Sequence, residues 1–528
     1  MKERPAAESH GALAEWLPAI VAILATVVLP RLLMLNVSVI DWDESIYALI
    51  GQQWVQGHVP HETVFDHKPI GLYAIFASFF LVFGDAVWAI RLIPIAFVAG
   101  TAALLARIAQ TQFGNDRMLG GVVAALYGLL TLTNGGLATN TEVLINFFIV
   151  LSLYFTVRWQ LDCRTSIPGG LAAGASLGMA LQVNYLAGIL VAGVAGFYLA
   201  WVALRRPATG FVRRYLQNGA YMFCGFLLIT IMAHLPIVTY GDLSDYFALK
   251  LAYLSGYEGV GDTAIAVRRV SEAISPYWPF LTLALLLAAT GLWGRGGWQP
   301  LWDTRESPAG RGTAAWLVFT AFAVAAALAS QQFYQHFFLF LVPALVMLAA
   351  AFLCLACPAG RLRALFVSWL VLMGAVSALD AREELLRGYR AQLKVLRGAP
   401  ADSVAEAGDY MVRRLEPGDT IYVHDGQPIL YFMTRTVPPT RFAFPDTHLK
   451  DEVADRLGFT PFEAVGAILE RKPRFIVTRP RPDGSDLSPA AARLYDALDR
   501  DYAPARAAEP AAPAHIYVRT VARGAIAR

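Results

Sequence analysis

The sequence predicts a polytopic α-helical membrane protein with a small α/β domain at its C-terminus. Three observations carry that expectation. Only 16% of the 528 residues are charged and 56% are hydrophobic, with a mean hydropathy of +0.48; a soluble domain averages about 25% charged and 45–50% apolar residues. Segments such as Trp16–Leu35, Trp88–Ala106 and Ala314–Ala329 approach the roughly 20 residues that cross a hydrocarbon core about 30 Å thick. After Ala381 the composition turns to that of a soluble domain. The shortage of charge excludes a soluble enzyme of this size, and the apolar content excludes a disordered chain. The net charge is +3, with no long basic run and no basic stripe interleaved with aromatics, so nothing points to a nucleic-acid partner.

Hydropathy gives about eleven spans, near Trp16–Val37, Trp88–Ala109, Met118–Thr133, Val143–Trp159, Gly169–Val183, Leu186–Ala203, Gly219–Thr239, Pro276–Trp293, Ala314–Ala329, Phe337–Ala356 and Ala364–Ala378. The short ones need a locally thinned bilayer or a few more residues to cross. The first lacks a small-residue cleavage site and is expected to be retained rather than removed as a signal peptide. Ile70–Phe83 is short for a span and is read as an interfacial or re-entrant helix. With the N-terminus inside, the cytoplasmic segments collect fifteen Lys and Arg. The outer loops hold four, Lys68, Lys250, Arg268 and Arg269. This positive-inside bias places the first loop (about 38–87), the loop Tyr240–Ser275 and the C-terminal region on the extracytoplasmic side of the cell inner membrane. Counting Ile70–Phe83 as a crossing would invert every later loop. The expected division is a transmembrane domain over 1–380 and an extracytoplasmic α/β domain over 381–528.

Within the C-terminal region, Glu383–Leu396 reads as an amphipathic helix leaving the membrane. Thr420–Val423, Arg474–Thr478 and His515–Arg519 read as strands, being rich in β-branched and aromatic residues. Phe462–Glu470 and Ala491–Leu498 have helical periodicity. Pro482–Ser485 and Ala503–Ala514 read as loops. A small α/β domain of open strand order is the economical reading. Of the four cysteines, Cys163 falls in a connecting loop and Cys224 in a span. Cys354 and Cys357 share one face of another span and are read as packing, having no histidine or acidic neighbours.

The most polar outer segment opens with Asp41-Trp42-Asp43-Glu44-Ser45-Ile46-Tyr47 and continues to Phe65-Asp66-His67-Lys68-Pro69. Three acids in four residues beside a span repel one another and raise at least one pKa. They cost stability unless a cation or substrate sits between them. The plainer reading is solvated acids at the start of a helix beginning at Ser45, favoured by its dipole. His58, His61 and His67 with Asp66 offer donors of the kind zinc takes, or are interfacial histidines. Trp42, Trp54 and Trp88 read as interfacial aromatics. Asn36-Val37-Ser38 matches a glycosylation sequon but abuts the membrane.

The order of these motifs resembles the GT-C glycosyltransferases, closest to the branch of bacterial aminoarabinose transferases and protein O-mannosyltransferases. The matching residues are Asp43-Glu44-Ser45-Ile46-Tyr47, then Asp66-His67-Lys68-Pro69, an apolar helix ending Phe83-Gly84, and Arg91 opening the next span. Glu142, in Asn140-Thr141-Glu142, matches a second family acid, and Phe333-Tyr334-Gln335-His336 with Pro343 is similar to a late outer-edge motif. The likeness covers Met1 to about Val183 well, the remaining spans by pattern, and the C-terminal domain weakly. It departs at Ile46, where the aminoarabinose branch carries an arginine. The usual Lys-Pro-Pro here reads Lys68-Pro69-Ile70, and Asn184 stands where a basic residue is often seen.

The resemblance implies an inverting transfer of a sugar from a polyprenyl-phosphate donor to a hydroxyl on a lipid, glycan or protein acceptor. In that picture Asp43 accepts the acceptor's proton and Glu44 orients the acceptor or the helix. Glu142 holds the sugar or acceptor, and Lys68 neutralises the leaving phosphate unless it only snorkels at the interface. Tyr47, Asp66 and His67 are implied as substrate-binding. Arg268 or Arg269 supplies the charge missing at Ile46, or the pair is plain surface. His336 touches the donor phosphate or the acceptor, or is a helix-end histidine. Membrane lipids are the expected surroundings; no cofactor is expected, and a lysine at the phosphate makes a divalent metal unnecessary. The competing class is a transporter or flippase of a lipid-linked glycan. That class would place its acids and unwound helices near the bilayer midplane, within internal repeats. Neither the sugar nor the acceptor is legible.

Overall fold

The computed structural model describes residues 7–114, 116–162, 165–204, 211–256, 259–293, 307–355, 357, 360–443, 451–482, 487–508, 513 and 515–520. Cys163, the basic residues Lys2, Arg4, Arg164, Arg205, Arg206, Arg295 and Arg305, most of the expected loop 482–485, and five of the residues 509–514 lie outside the described residues. From the N-terminus, α1 (Ala7–Ile23) continues through a π-helical turn at Leu24–Val28 into α2 (Leu29–Leu32). The first long loop holds α3 (Trp42–Val55) and α4 (Ile70–Phe83). Then come α5 (Val87–Phe113), α6 (Arg117–Leu130), α7 (Thr141–Asp162), α8 (Ile167–Val183), α9 (Ala187–Ala203) and α10 (Phe211–Tyr240). The segment expected as an outer loop after α10 is folded as α11 (Leu243–Ser255) and α12 (Thr263–Ile274). After these follow α13 (Trp278–Trp293), α14 (Pro308–Leu328), a 3-10 segment Gln335–Leu341, α15 (Val342–Leu355) and α16 (Arg361–Ala378).

Eight helical stretches among the described residues are long and apolar enough to cross a membrane, and the chain is a multi-pass membrane protein. The three other expected spans form the shorter apolar helices α6, α8 and α9, and α4 is likewise short.

The chain divides into two compact units. The first comprises Met1–Met34, Arg91–Ala233 and Glu258–Leu386. Its helices pack α1 on α6, α7 on α8 and α9 on α14. Gly170, Gly174 and Gly178 form a small-residue face on α8 at a spacing of four. A Cβ on Gly174 would stand 1.7 Å from the Met222 carbonyl oxygen of α10, an approach that only glycine permits and that apolar membrane helices use to gain packing.

The second unit gathers Leu35–Ile90, His234–Tyr257 and Arg387–Arg528. It contains most of α17 (Arg382–Leu396), α18 (Ser403–Val412), β1 (Ile421–Val423), α19 (Ile429–Thr434), α20 (Asp451–Arg456) and α21 (Pro461–Glu470). After these come β2 (Phe475–Val477), α22 (Pro489–Asp501), β3 (Tyr502–Pro504), α23 (Ala505–Ala508) and β4 (Ile516–Arg519). The sheet order is β1-β2-β4-β3, with β1 parallel to β2 and the other pairs antiparallel. Tyr422 and Ile476 of the sheet bury against Val465 and Ile468 of α21 and Leu494 and Leu498 of α22. β3 lies where a loop was expected; its Tyr-Ala-Pro sequence carries no strand pattern, and pairing with β4 makes it one. The first-loop helices belong to this unit through specific contacts. Gly51 lets α3 lie against α4, since a Cβ there would come within 2.6 Å of Phe76 Cβ. Gln52 Nε2 donates to the Phe432 carbonyl of α19 at 3.0 Å. Ser38 donates through its amide and hydroxyl to Asp402, the N-cap of α18.

Candidate active site

The three clustered acids have separate tasks. Asp41 is the N-cap of α3 and accepts from the Asp43 amide at 3.2 Å. Glu44 turns back to accept from the amides of Ile40 at 2.7 Å and Asp41 at 3.4 Å. This reciprocal capping box starts the helix at Trp42, three residues before the expected Ser45, and places two carboxylates at the positive end of the helix dipole. Glu44 is fully buried by it. Asp43 lies outside the box. Its Oδ2 accepts from the Tyr47 hydroxyl one turn on, at 3.0 Å, and it lines a cavity of about 60 Å³ with Ile46, Tyr47, Phe65, Asp66, His67 and Tyr253. That volume suits a reacting centre rather than a whole sugar.

The Asp66–Pro69 loop forms the facing wall. Asp66 Oδ1 accepts from the His67 amide at 2.7 Å and lies 3.0 Å from His67 Nδ1, while Oδ2 accepts from the Tyr73 hydroxyl at 2.7 Å. Burial alone would raise the Asp66 pKa. The His67 ring, these hydrogen bonds and the nearby Lys68 outweigh it and hold the carboxyl below the usual range, so Asp66 is ionised. Burial and Lys68 lower His67 despite Asp66. The ring is therefore neutral near pH 7, donates from Nδ1 to Asp66, and presents Nε2 as an acceptor. It stacks on Tyr253 at 4.7 Å. Lys68 is half-buried and makes no ion pair among the described residues; the next residue, Pro69, caps α4.

Beneath this loop sits Lys250 of α11, which the sequence marks only as a loop cation. It is 2% exposed, and its Nζ donates to the carbonyls of Asp66 and Lys68 and rests 4.6 Å from the centre of the Tyr246 ring. Burial pushes its pKa down to about 7. His61 lies beside it, in a left-handed conformation (φ 76°) and edge-on to Tyr73 and Tyr246. Neither of its ring nitrogens meets a partner in good geometry, and burial and Lys250 keep the ring neutral. The one signal in the sequence was position: Tyr246, Leu249 and Lys250 share the buried stripe of α11. Among the described residues no group of three or more His, Cys, Asp or Glu side chains is placed to hold a metal ion.

The remaining candidates belong to the first unit. Glu142 is buried in the first turn of α7 and accepts from the Thr141 hydroxyl at 2.8 Å; Asn184 donates to that same hydroxyl at 3.2 Å. His336 stacks on Tyr334 at 5.7 Å and stands close to Gly135, in the loop that leads to α7. Arg269 donates to the Gln332 carbonyl at 2.8 Å and covers the Tyr334 ring at 5.2 Å, so it shares a neighbourhood with His336. Arg268 points outward and faces Glu272 at 3.9 Å. The structure thus brings Asp43, Tyr47, Asp66 and His67 to one cavity with Lys68 adjacent in the chain, and in the other unit it sets His336 near Gly135 and Arg269 over the Tyr334 ring on which His336 stacks, with Glu142 in the first turn of α7.

Almost the whole chain matches ArnT from Cupriavidus metallidurans. The structure bound to undecaprenyl phosphate aligns at a TM-score of 0.56 and 15% identity, over 98% of this chain and 99% of that one. The apo structure gives 0.55 and 14% over the same shares. The chain has a GT-C fold. Residues 67–236 match the family model described as dolichyl-phosphate-mannose-protein mannosyltransferase. The matched stretch takes in His67, Lys68 and Glu142. The archaeal oligosaccharyltransferase AglB from Archaeoglobus fulgidus, in complex with an inhibitory peptide and a dolichol-phosphate, matches at a TM-score of 0.44 and 12% identity, over 87% of this chain and 69% of that one. No curated protein matches the chain.

Proposed function

We propose that this chain is a membrane glycosyltransferase. It moves a sugar from a polyprenyl-phosphate donor to a hydroxyl of a lipid, glycan or protein acceptor, with inversion, at the extracytoplasmic face of the cell inner membrane. The observation that carries the reading is the convergence of Asp43, Asp66 and His67 on one cavity with Lys68 beside it. The likeness to a structure that holds undecaprenyl phosphate supports the donor class. The positive-inside bias of the loops supports the face.

In this reading the acceptor oxygen attacks the anomeric carbon from the side opposite the phosphate. Its proton passes to Asp43, whose Oδ2 is fixed by Tyr47 and whose Oδ1 turns to the acceptor. The bond from the anomeric carbon to the phosphate oxygen breaks, and the polyprenyl phosphate leaves with the electron pair. Lys68 meets the charge that develops there, while Asp66 and His67 keep the loop in place and offer the acceptor one neutral imidazole nitrogen. Glu44 serves by fixing the start of α3. Glu142 holds the sugar or the acceptor, His336 touches the donor phosphate or the acceptor, and Arg268 or Arg269 is the candidate for the charge absent at Ile46.

The test is Asp43→Asn in membranes supplied with radiolabelled undecaprenyl-phosphate aminoarabinose or mannose. Transfer to membrane lipid, glycan or protein should fall by about 10²–10⁴-fold, with expression and thermal midpoint unchanged. Transfer at the wild-type rate would remove Asp43 from its role.

A further inference from the structure

We propose that Lys250 is a positioning residue that fixes Lys68 at the reaction centre by holding the backbone carbonyls of Asp66 and Lys68 from below. The consequence for catalysis rests on the glycosyltransferase reading; the brace itself does not.

A buried ammonium costs several kcal/mol unless its donors are matched. Lys250 forms no ion pair among the described residues, so its partners are the two carbonyls and the face of Tyr246. Those carbonyls lie 184 and 182 residues away in the chain and belong to the residue at each side of His67. The bonds therefore do nothing for α11 itself; they set the path of the loop.

The other contacts make the loop a clamped segment. At its N-terminal end the Phe65 amide donates to the Arg441 carbonyl at 2.6 Å, and the Arg441 side chain pairs with Asp245 of α11 at 2.9 Å. Phe65, Leu249 and Phe442 bury against one another. At the other end the Tyr73 hydroxyl lies 3.3 Å from the Lys68 carbonyl. α11 is thus tied to both ends of Phe65–Lys68, and Lys250 is its tie to the loop backbone itself. With its backbone fixed, Lys68 loses only side-chain freedom when it meets a phosphate, and its ammonium starts near the working position.

The experiment uses the full-length protein in lipid nanodiscs, comparing Lys250→Met, Lys250→Gln and Lys250→Arg with wild type. Deuterium exchange over the 62–70 segment reads the brace, and transfer kinetics read its effect. Lys250→Met should make the amides of that segment exchange about tenfold faster. It should lower kcat by about 10–100-fold while the donor KM moves less than about threefold, since positioning is lost in the transition state more than in the ground state. Lys250→Arg should restore both. Lys250→Gln, which keeps donors without charge, should loosen the loop less than Lys250→Met; it serves as the deciding variant if Lys250→Met does not fold. Lys68→Met should lower kcat with loop exchange as in wild type. Wild-type loop exchange in both neutral variants, or no rescue by arginine, overturns the brace. Absence of transfer by the wild type would count against the glycosyltransferase reading, and the exchange arm would still decide the brace.

Discussion

Two buried cations, one in each unit, meet the same difficulty in different ways. Arg31 sits in the first membrane-spanning segment at 1% exposure and donates to the carbonyls of Val27 at 3.3 Å and of Thr131 and Gly136 at 2.9 Å. Lys250 donates to the carbonyls of Asp66 and Lys68. Each ties together loop carbonyls distant in sequence. Arg31 holds the end of α6 and the loop that leads to Thr141 and Glu142; Lys250 holds the loop that carries Lys68. The planar guanidinium spreads several donors over fixed directions and keeps its charge at all working pH values, whereas an ammonium on a flexible stem loses its charge readily when buried. The first device suits permanent structure. The second suits a segment whose exact placement matters more than its contribution to stability.

That contrast breaks most visibly on truncation. Arg31→Met leaves the Thr131 and Gly136 carbonyls buried without their donor, at about 1–3 kcal/mol for each such group. A large drop in thermal midpoint and in folded yield is expected, and Arg31→Lys should recover only part of it. Lys250→Met also removes an ammonium that was costly to bury, so the two effects offset and the midpoint should move far less. Equal losses at both positions would erase the distinction between a structural clamp and a positioning one.

The legible part of this molecule is what local chemistry specifies. Apolar runs mark the membrane helices, and β-branched runs locate β1, β2 and β4. The spacing from Asp43 through Lys68 carries the family likeness, since those residues lie on adjacent stretches of one loop. Lys250 was not legible, because a lysine in an outer loop reads as one more loop cation until its carbonyl partners, more than 180 residues away, are seen. The same reason hid the role of Glu44: three neighbouring acids read as mutual repulsion, but two of them are spent on helix amides. Asn184 looked like a missing charge, whereas in the structure it joins the Thr141 hydroxyl beside Glu142.

pH sharpens the comparison further. Burial lowers the Lys250 pKa from 10.5 to about 7, so between those values the unfolded chain holds a proton that the folded chain has released. The folded state then gains stability as pH rises from about 7 toward 10, and the penalty is fully present below 7. The titratable neighbours Asp66, His61 and His67 stay clear of that window, since Asp66 is shifted below its normal range and the two histidines below theirs. Wild type should therefore show a thermal midpoint that climbs between pH 7 and 9 relative to Lys250→Met. Parallel curves for the two proteins would show that the ammonium is not the titrating group.

The smallest effect separates the two arginines of α12. Arg268 is well exposed and faces Glu272 across 3.9 Å on the helix surface, a pair worth less than about 0.5 kcal/mol in water and screened by salt. Arg269 is held by the Gln332 carbonyl and the Tyr334 ring, so its replacement by alanine should lower stability by about 1 kcal/mol. Stability alone therefore ranks Arg269 above Arg268. Transfer discriminates on another basis, because a residue held to structure has fewer donors left for a phosphate than one that is free to turn. If α12 supplies the charge absent at Ile46, Arg268→Ala should raise the donor KM without a change in thermal midpoint, and the effect should shrink as salt is added. A donor KM unmoved by Arg268→Ala at low salt would leave the pair as surface and helix packing.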